Sequence, residues 1–282
     1  MYNNQRKAIF FDIDGTLLIP GEGIHESVRE ALRKVRNHGH QVFIATGRAW
    51  CCLPEELQDV ELDGLIASAG SDIWFHGQNV YRQSLPEKLI RDTCQILKEM
   101  DAVYVLEGFD RIYVSEKAQR ILLGKEVLPD DNPELVRWKK YFRQKTNLYP
   151  IEEWTPEVER VPKITFMLFH EEQVEQVKEI LSGPFHVVFF PAAYSGFWNG
   201  ELISRTADKG TAIQKAAELL HIGIKDTIAF GDSMNDYEMI EQAGCGVVME
   251  NGDEYLKTIA DRVCESVQED GVIRELERMH LI

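Results

Sequence analysis

The sequence predicts an α/β protein whose core is a doubly wound, Rossmann-like parallel sheet interrupted by an inserted α+β module. Apolar, strand-like runs alternate with helical patterns up to about Pro86, and the same alternation returns after Lys209. Between these segments the pattern changes to pairs of strands separated by helices, which is typical of an α+β module. The two outer segments are therefore expected to form two halves of one sheet.

The first segment supplies strands and one clear amphipathic helix. Val28, Leu32 and Val35 share one face of this helix, and Gly39 is a stop signal after it. The predicted elements, in order, are a strand at Lys7–Ile13, a helix at Glu26–His38, strands at Gln41–Ala45 and Gly64–Ser68, and a hairpin over 73–85 that turns at Gly77 and Gln78.

The middle and final segments are assigned from the same periodicities. The middle segment is predicted to hold a helix through Leu89, Cys94 and Leu97, strands at Val103–Leu106 and Ile112–Val114, a charged, proline-rich region at 128–162 with a loop at 129–134, a strand at 163–169, a helix at Glu171–Leu181 and strands at 186–190 and 197–203. The final segment is predicted to hold a helix at Thr211–His221, a strand at Thr227–Phe230, a helix through Met239 and Ile240, a strand at Gly246–Met249 and a helix after Gly271.

Composition excludes several classes of protein. A net charge of −16 over 282 residues argues against nucleic-acid binding, which depends on Lys and Arg meeting phosphates. No apolar run approaches the ~20 residues of a membrane helix, and the N-terminus does not resemble a signal peptide. Five cysteines, an odd number with no CxxC, do not suggest a disulfide framework. We expect a cytoplasmic protein without nucleic-acid or membrane partners; the sequence leaves monomer and homodimer open.

Polar residues follow several of the predicted strands. Ligands of open α/β sheets bind beyond the carboxyl ends of the strands, so these distant segments are expected to converge on one crevice. The candidate site residues are Asp12 and Asp14 after the first strand, Thr46, Gly47 and Arg48 after the second, Lys209 at the start of a helix, and Asp232, Asn235 and Asp236 in the segment GDSMND.

Four aspartates in one crevice would repel each other, by ~4 kcal/mol for two charges 4 Å apart near a protein surface. A bound cation reverses this effect, and hard oxygen ligands with several waters suit Mg²⁺. A lone DxD pair is usually a cap or a solvated turn. Because TGR, a lysine and GDxxND accompany it here, the sequence favours a magnesium site that accepts a phosphate through Mg²⁺, Lys209 and backbone N–H groups.

These residues carry a resemblance to a known family. The segments DIDGTLL, TGR, the lysine of ADKGTAI and GDSMND resemble the four motifs of the haloacid dehalogenase (HAD) superfamily, in the expected order. The C-terminal segment, from GDSMND to EDGV, is similar to that of the Cof-type sugar-phosphatase group, whose members carry a C2B cap. The resemblance implies a first core part at 1–84, a cap at 85–203 and a second core part at 204–282.

The resemblance also implies roles for the candidate residues. Asp12 would attack phosphorus and form an aspartyl-phosphate, while Asp14 would act as general acid and then as general base. Mg²⁺ would be held by the Asp12 carboxylate, the Asp14 backbone carbonyl and the Asp232 carboxylate, with Asp236 behind them. The phosphate would be bound by a set of donors comprising Thr46, Gly47, Lys209, Asn235 and, as one of two alternatives, Arg48.

Three features leave questions open. Arg48 is either a ligand of the phosphate or substrate, or a surface arginine at the start of a helix. Cof-type proteins usually have asparagine before glycine after the third strand, where this chain has Ala69, so the substrate preference is in doubt. Tyr194, Phe197, Trp198 and Asn199 could line a substrate site, but an aromatic stripe of this kind more often forms the core of a cap.

The expected activity is Mg²⁺-dependent hydrolysis of small phosphomonoesters, such as sugar phosphates or related metabolites. A phosphomutase that returns the phosphoryl group to a sugar is an alternative with the same aspartyl-phosphate. A phospho-accepting signalling module also gathers aspartates and a lysine around Mg²⁺, but the motif order and the large insertion argue against it. Dehalogenation would use the same nucleophile on carbon and would need neither Asp14 nor the metal aspartates.

Overall fold

The computed structural model describes residues 6–19, 21–57, 59–124, 133–190 and 196–282. The strands within these residues are β1 Ala8–Phe11, β2 Gln41–Ala45, β3 Gly64–Ala67, β4 Asp72–Phe75, β5 Gln78–Arg82, β6 Val103–Glu107, β7 Ile112–Val114, β8 Leu148–Pro150, β9 Lys163–Leu168, β10 Phe185–Phe189, β11 Trp198–Ser204, β12 Thr227–Gly231, β13 Cys245–Met249 and β14 Arg262–Cys264. The α-helices are α1 Glu26–Asn37, α2 Glu87–Glu99, α3 Glu116–Ala118, α4 Pro133–Gln144, α5 Glu171–Leu181, α6 Lys209–Leu220, α7 Tyr237–Gln242, α8 Glu254–Ile259 and α9 Gly271–Arg278.

Contacts within the chain divide it into two compact units. The first unit comprises Met1–Arg48, Cys52–Arg82 and Thr206–Ile282, and the second comprises Ala49–Cys51 and Gln83–Arg205. The first unit is therefore assembled from segments far apart in the sequence.

The first unit is built on an eight-stranded sheet in the order β14-β13-β12-β1-β2-β3-β4-β5. The strands from β14 to β3 are all parallel, and the antiparallel β4–β5 hairpin extends one edge. Central β1 therefore has β12 on one side and β2 on the other. The α/β fold class predicted from the sequence is confirmed.

Helices cover both faces of this sheet, which explains the unbroken apolar sequence of β1. Ile9 and Phe11 pack in a cluster with α1 and α9, whereas Ala8 and Phe10 pack in a second cluster with α6, α7 and α8. All four residues of β1 are buried, as expected for a strand whose two faces are both covered. The chain must leave this apolar layer at the end of β1, where Asp12 follows.

The second unit contains a six-stranded sheet in the order β10-β11-β9-β6-β7-β8. Its neighbouring strands are antiparallel except for β7 and β8, which pair in parallel. Helices α2 and α5 pack on one face through a cluster that includes Ile90, Leu97 and Val177. This arrangement is the α+β pattern that the sequence predicts for the middle of the chain.

Two local predictions from the sequence are corrected. The hairpin turns at His76 and Gly77 rather than at Gly77 and Gln78, because Gln78 already pairs with Phe75. His76 and Gly77 have φ values of 48° and 76°, and the type I′ hairpin turn requires positive φ at both central residues. The predicted loop at 129–134 lies outside the described residues up to 132, and Pro133 begins α4.

The aromatic candidates of the second unit have different surroundings. Tyr194 lies outside the described residues. Phe197 is buried with its ring centroid 6.1 Å from that of Phe169. Trp198 packs against the apolar cluster beneath α2 and α5, and Asn199 is buried in β11.

Within the described ranges, the structure contains no helix that is both long enough and apolar enough to cross a bilayer.

A buried carboxylate connects α1 to the sheet of the first unit. Asp63 is 4% exposed, and its carboxylate accepts hydrogen bonds from the Val42 backbone N–H at 2.8 Å and from the Arg36 guanidinium at 3.1 and 3.2 Å. We expect Asp63→Ala to lower the free energy of unfolding by about 2 kcal/mol, because it leaves a buried N–H without its acceptor. Urea denaturation measures this loss.

Glu61 provides the matched control, because it also pairs with Arg36, at 2.6 Å, but its side chain is 62% exposed. Glu61→Ala is expected to change the free energy of unfolding by less than about 0.5 kcal/mol. Equal losses for the two variants would contradict the role assigned to Asp63.

Candidate active site

Asp12 is the first residue beyond β1 and lies at the carboxyl end of the central strands. Its backbone N–H donates to the Phe230 carbonyl of β12 at 2.9 Å, which continues the parallel ladder by one residue. Its side chain is almost fully buried. The carboxylate is therefore held by the sheet itself rather than by a loop.

Lys209 extends from the first position of α6 to this carboxylate. Its ammonium lies 2.6 Å from Asp12 Oδ1 and 2.5 Å from Asp236 Oδ1, and all three side chains are buried. Helix α6 is capped by Asp208, whose carboxylate accepts from the Thr211 N–H at 2.7 Å, while the Thr211 hydroxyl accepts from the Asp208 N–H. This capping box fixes the start of the helix, and therefore the stem of Lys209.

Asp236 and Asp232 complete an acidic cluster at the end of β12. Asp236 Oδ2 accepts from the backbone N–H groups of Asp232 and Ser233 at 3.0 and 3.1 Å. Asp12, Asp232 and Asp236 each present an oxygen within 4.8 Å of the others, the spacing of a group that could hold a metal ion. Gly15 has a φ of 88°, and a Cβ there would meet the Asp232 carboxylate, so the backbone conformation and this contact both favour glycine where the chain passes the cluster.

Burial and mutual repulsion disfavour ionisation of the carboxyl groups in this cluster. Burial raises the pKa of Asp12 to about 7, opposed by Lys209 and assisted by the neighbouring carboxylates of Asp236 and Asp14. Burial, followed by the charges of Asp12 and Asp236, raises the pKa of Asp232 to about 8. Burial would lower the pKa of Lys209, but Asp12 and Asp236 outweigh it and hold that pKa above its ordinary value. Lys209 therefore remains charged, with three carboxylates around it.

Asp14 and Arg48 form a second ion pair beside the cluster. Arg48 Nε donates to Asp14 Oδ2 and Nη2 donates to Oδ1, both at 2.7 Å, which is the forked geometry of a strong arginine–carboxylate pair. The Asp14 side chain is 46% exposed, in contrast to buried Asp12. The structure thus brings Arg48 to the predicted acid–base residue, an arrangement that the sequence did not suggest.

Thr46, Gly47 and Arg48 follow β2, next to β1. The Thr46 hydroxyl accepts from the Arg48 N–H at 3.1 Å and can still donate its own proton. Asn235 accepts the Ser233 hydroxyl through Oδ1 at 2.8 Å, and the same oxygen lies 3.4 Å from the Lys209 ammonium. Its amide N–H₂ is consequently the group left to act as a donor.

Sequence reasoning missed several supporting residues. Asn251, after β13, donates to the Gly15 carbonyl at 2.9 Å and accepts from the Val267 N–H at 2.9 Å. The Thr16 hydroxyl lies 3.4 Å from Asp232 Oδ1. Ser233, which looks like loop filler in the sequence, forms a capping box with Asp236. Ser233 and Asp236 are three residues apart, which is the spacing of a capping box. This spacing is the signal in the sequence that could have indicated the role of Ser233.

Ala69, at the position where asparagine is usual, lies after β3 with φ 52° and ψ 37°. This is the left-handed region, which asparagine and glycine tolerate better than alanine does. Its N–H donates to the Thr46 carbonyl at 3.0 Å. The residue therefore supports the segment after β2 through its backbone.

Comparison with known proteins agrees with this fold. A model of the haloacid dehalogenase-like hydrolases matches residues 9–276. YkrA of Bacillus subtilis (strain 168) is 31% identical over 283 residues, covering 98% of each chain. The 5-amino-6-(5-phospho-D-ribitylamino)uracil phosphatase YitU of the same organism is 28% identical and covers 95% of this chain and 96% of its own. The solved structure of BT1666 from Bacteroides thetaiotaomicron, a phosphatase of the HAD superfamily, is 25% identical with a TM-score of 0.78, covering 100% of this chain and 97% of its own.

The chain belongs to the haloacid dehalogenase superfamily, within its Cof-type group. It is a phosphatase that acts on small phosphorylated compounds. The signalling-module alternative has no support among these relatives.

The buried pair of Lys209 and Asp236 is expected to contribute strongly to stability. Asp236→Ala would leave the ammonium and two backbone N–H groups without this acceptor, so we expect a loss of about 3 kcal/mol in the free energy of unfolding. Urea denaturation in the presence of EDTA measures this loss without any contribution from divalent ions.

Asp253→Ala is the matched control. Asp253 also accepts two backbone N–H groups, those of Tyr255 and Leu256, as the cap of α8, but it has no ion pair in the part of the chain that the structure describes. We expect a loss of about 1 kcal/mol, as for an ordinary cap. If the two variants lost the same stability, the buried ion pair would contribute nothing beyond its hydrogen bonds to the backbone.

Proposed function

We propose that the protein hydrolyses small phosphomonoesters, such as sugar phosphates or related metabolites, with Mg²⁺ and through an aspartyl-phosphate on Asp12. The observation that carries this proposal is the position of Asp12. It is fixed at the end of the central strand with Lys209 at 2.6 Å, and a second acid, Asp14, follows two residues later. The name of the relative YitU, a phosphatase of a phosphorylated ribityl compound, supports this class of substrate.

In the first step, an Asp12 carboxylate oxygen attacks phosphorus and the bond from phosphorus to the ester oxygen breaks. The leaving alkoxide takes a proton from Asp14, and the phosphoryl group remains on Asp12. In the second step, water attacks the same phosphorus, Asp14 takes its proton and the bond to Asp12 breaks. Inorganic phosphate is released; Asp12 is again a free carboxylate, and Asp14, which begins the cycle protonated, is protonated again.

The different surroundings of the two acids suit these roles. Asp12 is buried and held by Lys209, so its attacking oxygen has little freedom. Asp14 is half exposed and held by the Arg48 fork, so it can meet a leaving group or a water molecule. We infer that Arg48 orients Asp14. This role differs from both sequence-based alternatives for Arg48, a ligand of the phosphate or substrate and a surface arginine at the start of a helix.

The acidic cluster fits a magnesium ion, because its donors are hard carboxylate oxygens at a spacing that could surround a cation. The Asp12 and Asp232 carboxylates and the Asp14 backbone carbonyl would hold the ion. Both oxygens of Asp236 already accept hydrogen bonds, from Lys209 and from two backbone N–H groups, which suits a supporting position. When bound, Mg²⁺ neutralises charge on the phosphoryl oxygens.

Thr46, Gly47, Asn235 and Lys209 would bind the phosphoryl oxygens in this proposal. The hydroxyl of Thr46 and the amide N–H₂ of Asn235 are donors, and the Lys209 ammonium supplies fixed positive charge. Catalysis would then consist mainly of positioning and electrostatic stabilisation, as is general for phosphoryl transfer.

The division into core parts at 1–84 and 204–282 and a cap at 85–203 is part of the same proposal. A cytoplasmic location, which the composition predicts, also remains a prediction.

Phosphate release from p-nitrophenyl phosphate tests the reaction. We expect turnover that needs Mg²⁺, is abolished by EDTA and returns when Mg²⁺ is restored. Asp12→Asn is expected to reduce turnover to background, because the amide is a poor nucleophile. Asp92→Asn, at an exposed position in α2, is the control and should retain full turnover. Metal-independent turnover, or an active Asp12→Asn enzyme, would contradict the proposal; isomerisation of a hexose phosphate without phosphate release would favour the mutase.

Asp14→Asn tests the acid–base role. The p-nitrophenolate leaving group needs little protonation, so the first step should continue while attack by water slows by about 10²–10⁴-fold. Rapid mixing should therefore show a burst of p-nitrophenol equal to the enzyme concentration, followed by slow turnover and a phosphorylated protein. An Asp14→Asn enzyme with wild-type turnover and no burst would show that another group activates the water.

A further inference from the structure

A glycine after β3 meets the residue that begins helix α6. Gly70 has a φ of 103°, and a Cβ placed on it would overlap the carbonyl oxygen of Asp208 and lie 2.5 Å from its carbonyl carbon. Asp208 is the cap of α6 and directly precedes Lys209. Because the obstruction is backbone, it cannot move aside by changing a rotamer. The fit between Gly70 and Asp208 therefore depends on the absence of a side chain.

The loop that carries Gly70 is itself tightly held. Ser68 and Ala69 have φ values of 50° and 52°, so three consecutive residues occupy the left-handed region. The Ser68 N–H donates to the Arg48 carbonyl at 2.8 Å, and the Ala69 N–H donates to the Thr46 carbonyl at 3.0 Å. Such strain persists where the surroundings determine the conformation, and it is concentrated at functional sites. This loop is a rigid surface against which α6 begins.

A second glycine restricts the first turn of α6 at another contact. A Cβ on Gly210 would lie 2.5 Å from the Glu238 carbonyl oxygen of α7 and 2.7 Å from the Gln242 side chain. Gly210 has ordinary helical geometry, and alanine is a better helix former than glycine. Glycine at this position is therefore explained by the close approach of α7 rather than by the conformation of the backbone.

We propose that Gly70 and Gly210 are positioning residues that fix the first turn of α6 and hold the Lys209 ammonium against Asp12. The residues on either side of Lys209 make these two contacts. Asp208 packs against Gly70, and Gly210 packs against Glu238. This inference rests on the proposed function, because it concerns the lysine that stabilises the nucleophile and the phosphoryl group. An added methyl group at either glycine displaces the start of the helix, and displacement of a reacting geometry by about 1 Å can cost about 10²-fold in rate.

The test compares Gly70→Ala, Gly210→Ala and Gly77→Ala, with kcat and KM for p-nitrophenyl phosphate and the melting temperature of each. Gly77, in the β4–β5 turn, also has positive φ, but no atom of the residues that the structure describes comes within 4 Å of a Cβ placed there. It therefore reproduces the backbone penalty of Gly70→Ala without the collision. We expect kcat to fall about 10- to 100-fold for Gly70→Ala and Gly210→Ala, with a smaller change in KM, and to stay within about twofold for Gly77→Ala.

Lys209→Met provides a readout that a purely structural role would not affect. In that background, adding Gly210→Ala should reduce kcat by less than about threefold, because the group being positioned is already absent. A crystal structure of Gly210→Ala should show the Lys209 ammonium beyond about 3.5 Å from Asp12, outside hydrogen-bond distance.

Several results would overturn the proposal. One is a folded Gly210→Ala enzyme with wild-type kcat, and another is a Gly77→Ala enzyme that loses as much kcat as Gly70→Ala does. A third is a Gly210→Ala effect on kcat that is as large in the Lys209→Met background as in the wild type. The fourth is failure of both Gly70→Ala and Gly210→Ala to fold. If Lys209→Met itself kept full turnover, the proposed role of Lys209 would be wrong instead. The position of the ammonium in the Gly210→Ala crystal structure would then decide the inference about the glycines without reference to activity.

Discussion

The arrangement of the carboxyl end of the central sheet depends on one buried ammonium between two buried carboxylates. Removing three charged groups from water costs several kcal/mol for each, and their mutual attraction offsets this only when the geometry is good. Here Asp12 directly follows β1, Asp236 lies in the turn after β12, and Lys209 in the first turn of α6 lies 2.6 Å from Asp12 and 2.5 Å from Asp236. The pairing therefore ties together three segments that are up to 224 residues apart in the chain (Asp236 minus Asp12). Any shift of one segment leaves a buried charge without its partner.

This pairing does not neutralise the site. With Asp232 included, the cluster has three carboxylates and one ammonium, and burial together with mutual repulsion raises the pKa values of Asp12 and Asp232. Ionised carboxylates would also repel a phosphate dianion at this site. In the proposed reaction a divalent cation reverses the balance, so the same carboxylates that repel an anion in its absence create the binding site in its presence. Burial and repulsion both disfavour the ionised carboxylates here, and the proposed cation would offset both effects.

The parts of this architecture that follow a strong local rule could be predicted from the sequence. Strand β2 and helix α5 have the predicted bounds, because a buried parallel strand and an amphipathic helix have distinct periodicities. Helix α4 was not predicted, because prolines and charged residues dominate its region. Edge strand β14 was not predicted either, because it is only three residues long. In the site, the positions of Asp12 and Asp14 after a central strand and of Lys209 at the start of a helix follow from topology. The Asp14–Arg48 fork and the Asn251 contact with Gly15 depend on side-chain directions that spacing does not encode.

The left-handed loop after β3 shows why such details matter for function. A non-glycine residue in this region costs roughly 1–2 kcal/mol, and Ser68 and Ala69 both occupy it. Their N–H groups bind the carbonyls of Arg48 and Thr46, and net gains of about 1 kcal/mol for each hydrogen bond offset part of that cost. The loop keeps this strained conformation because it is held between the sheet on one side and the start of α6 on the other. The strained loop thus lowers local stability but fixes the spacing between the segment of Thr46 and the helix that begins at Lys209. A phosphoryl group bound by both residues would require such a fixed spacing.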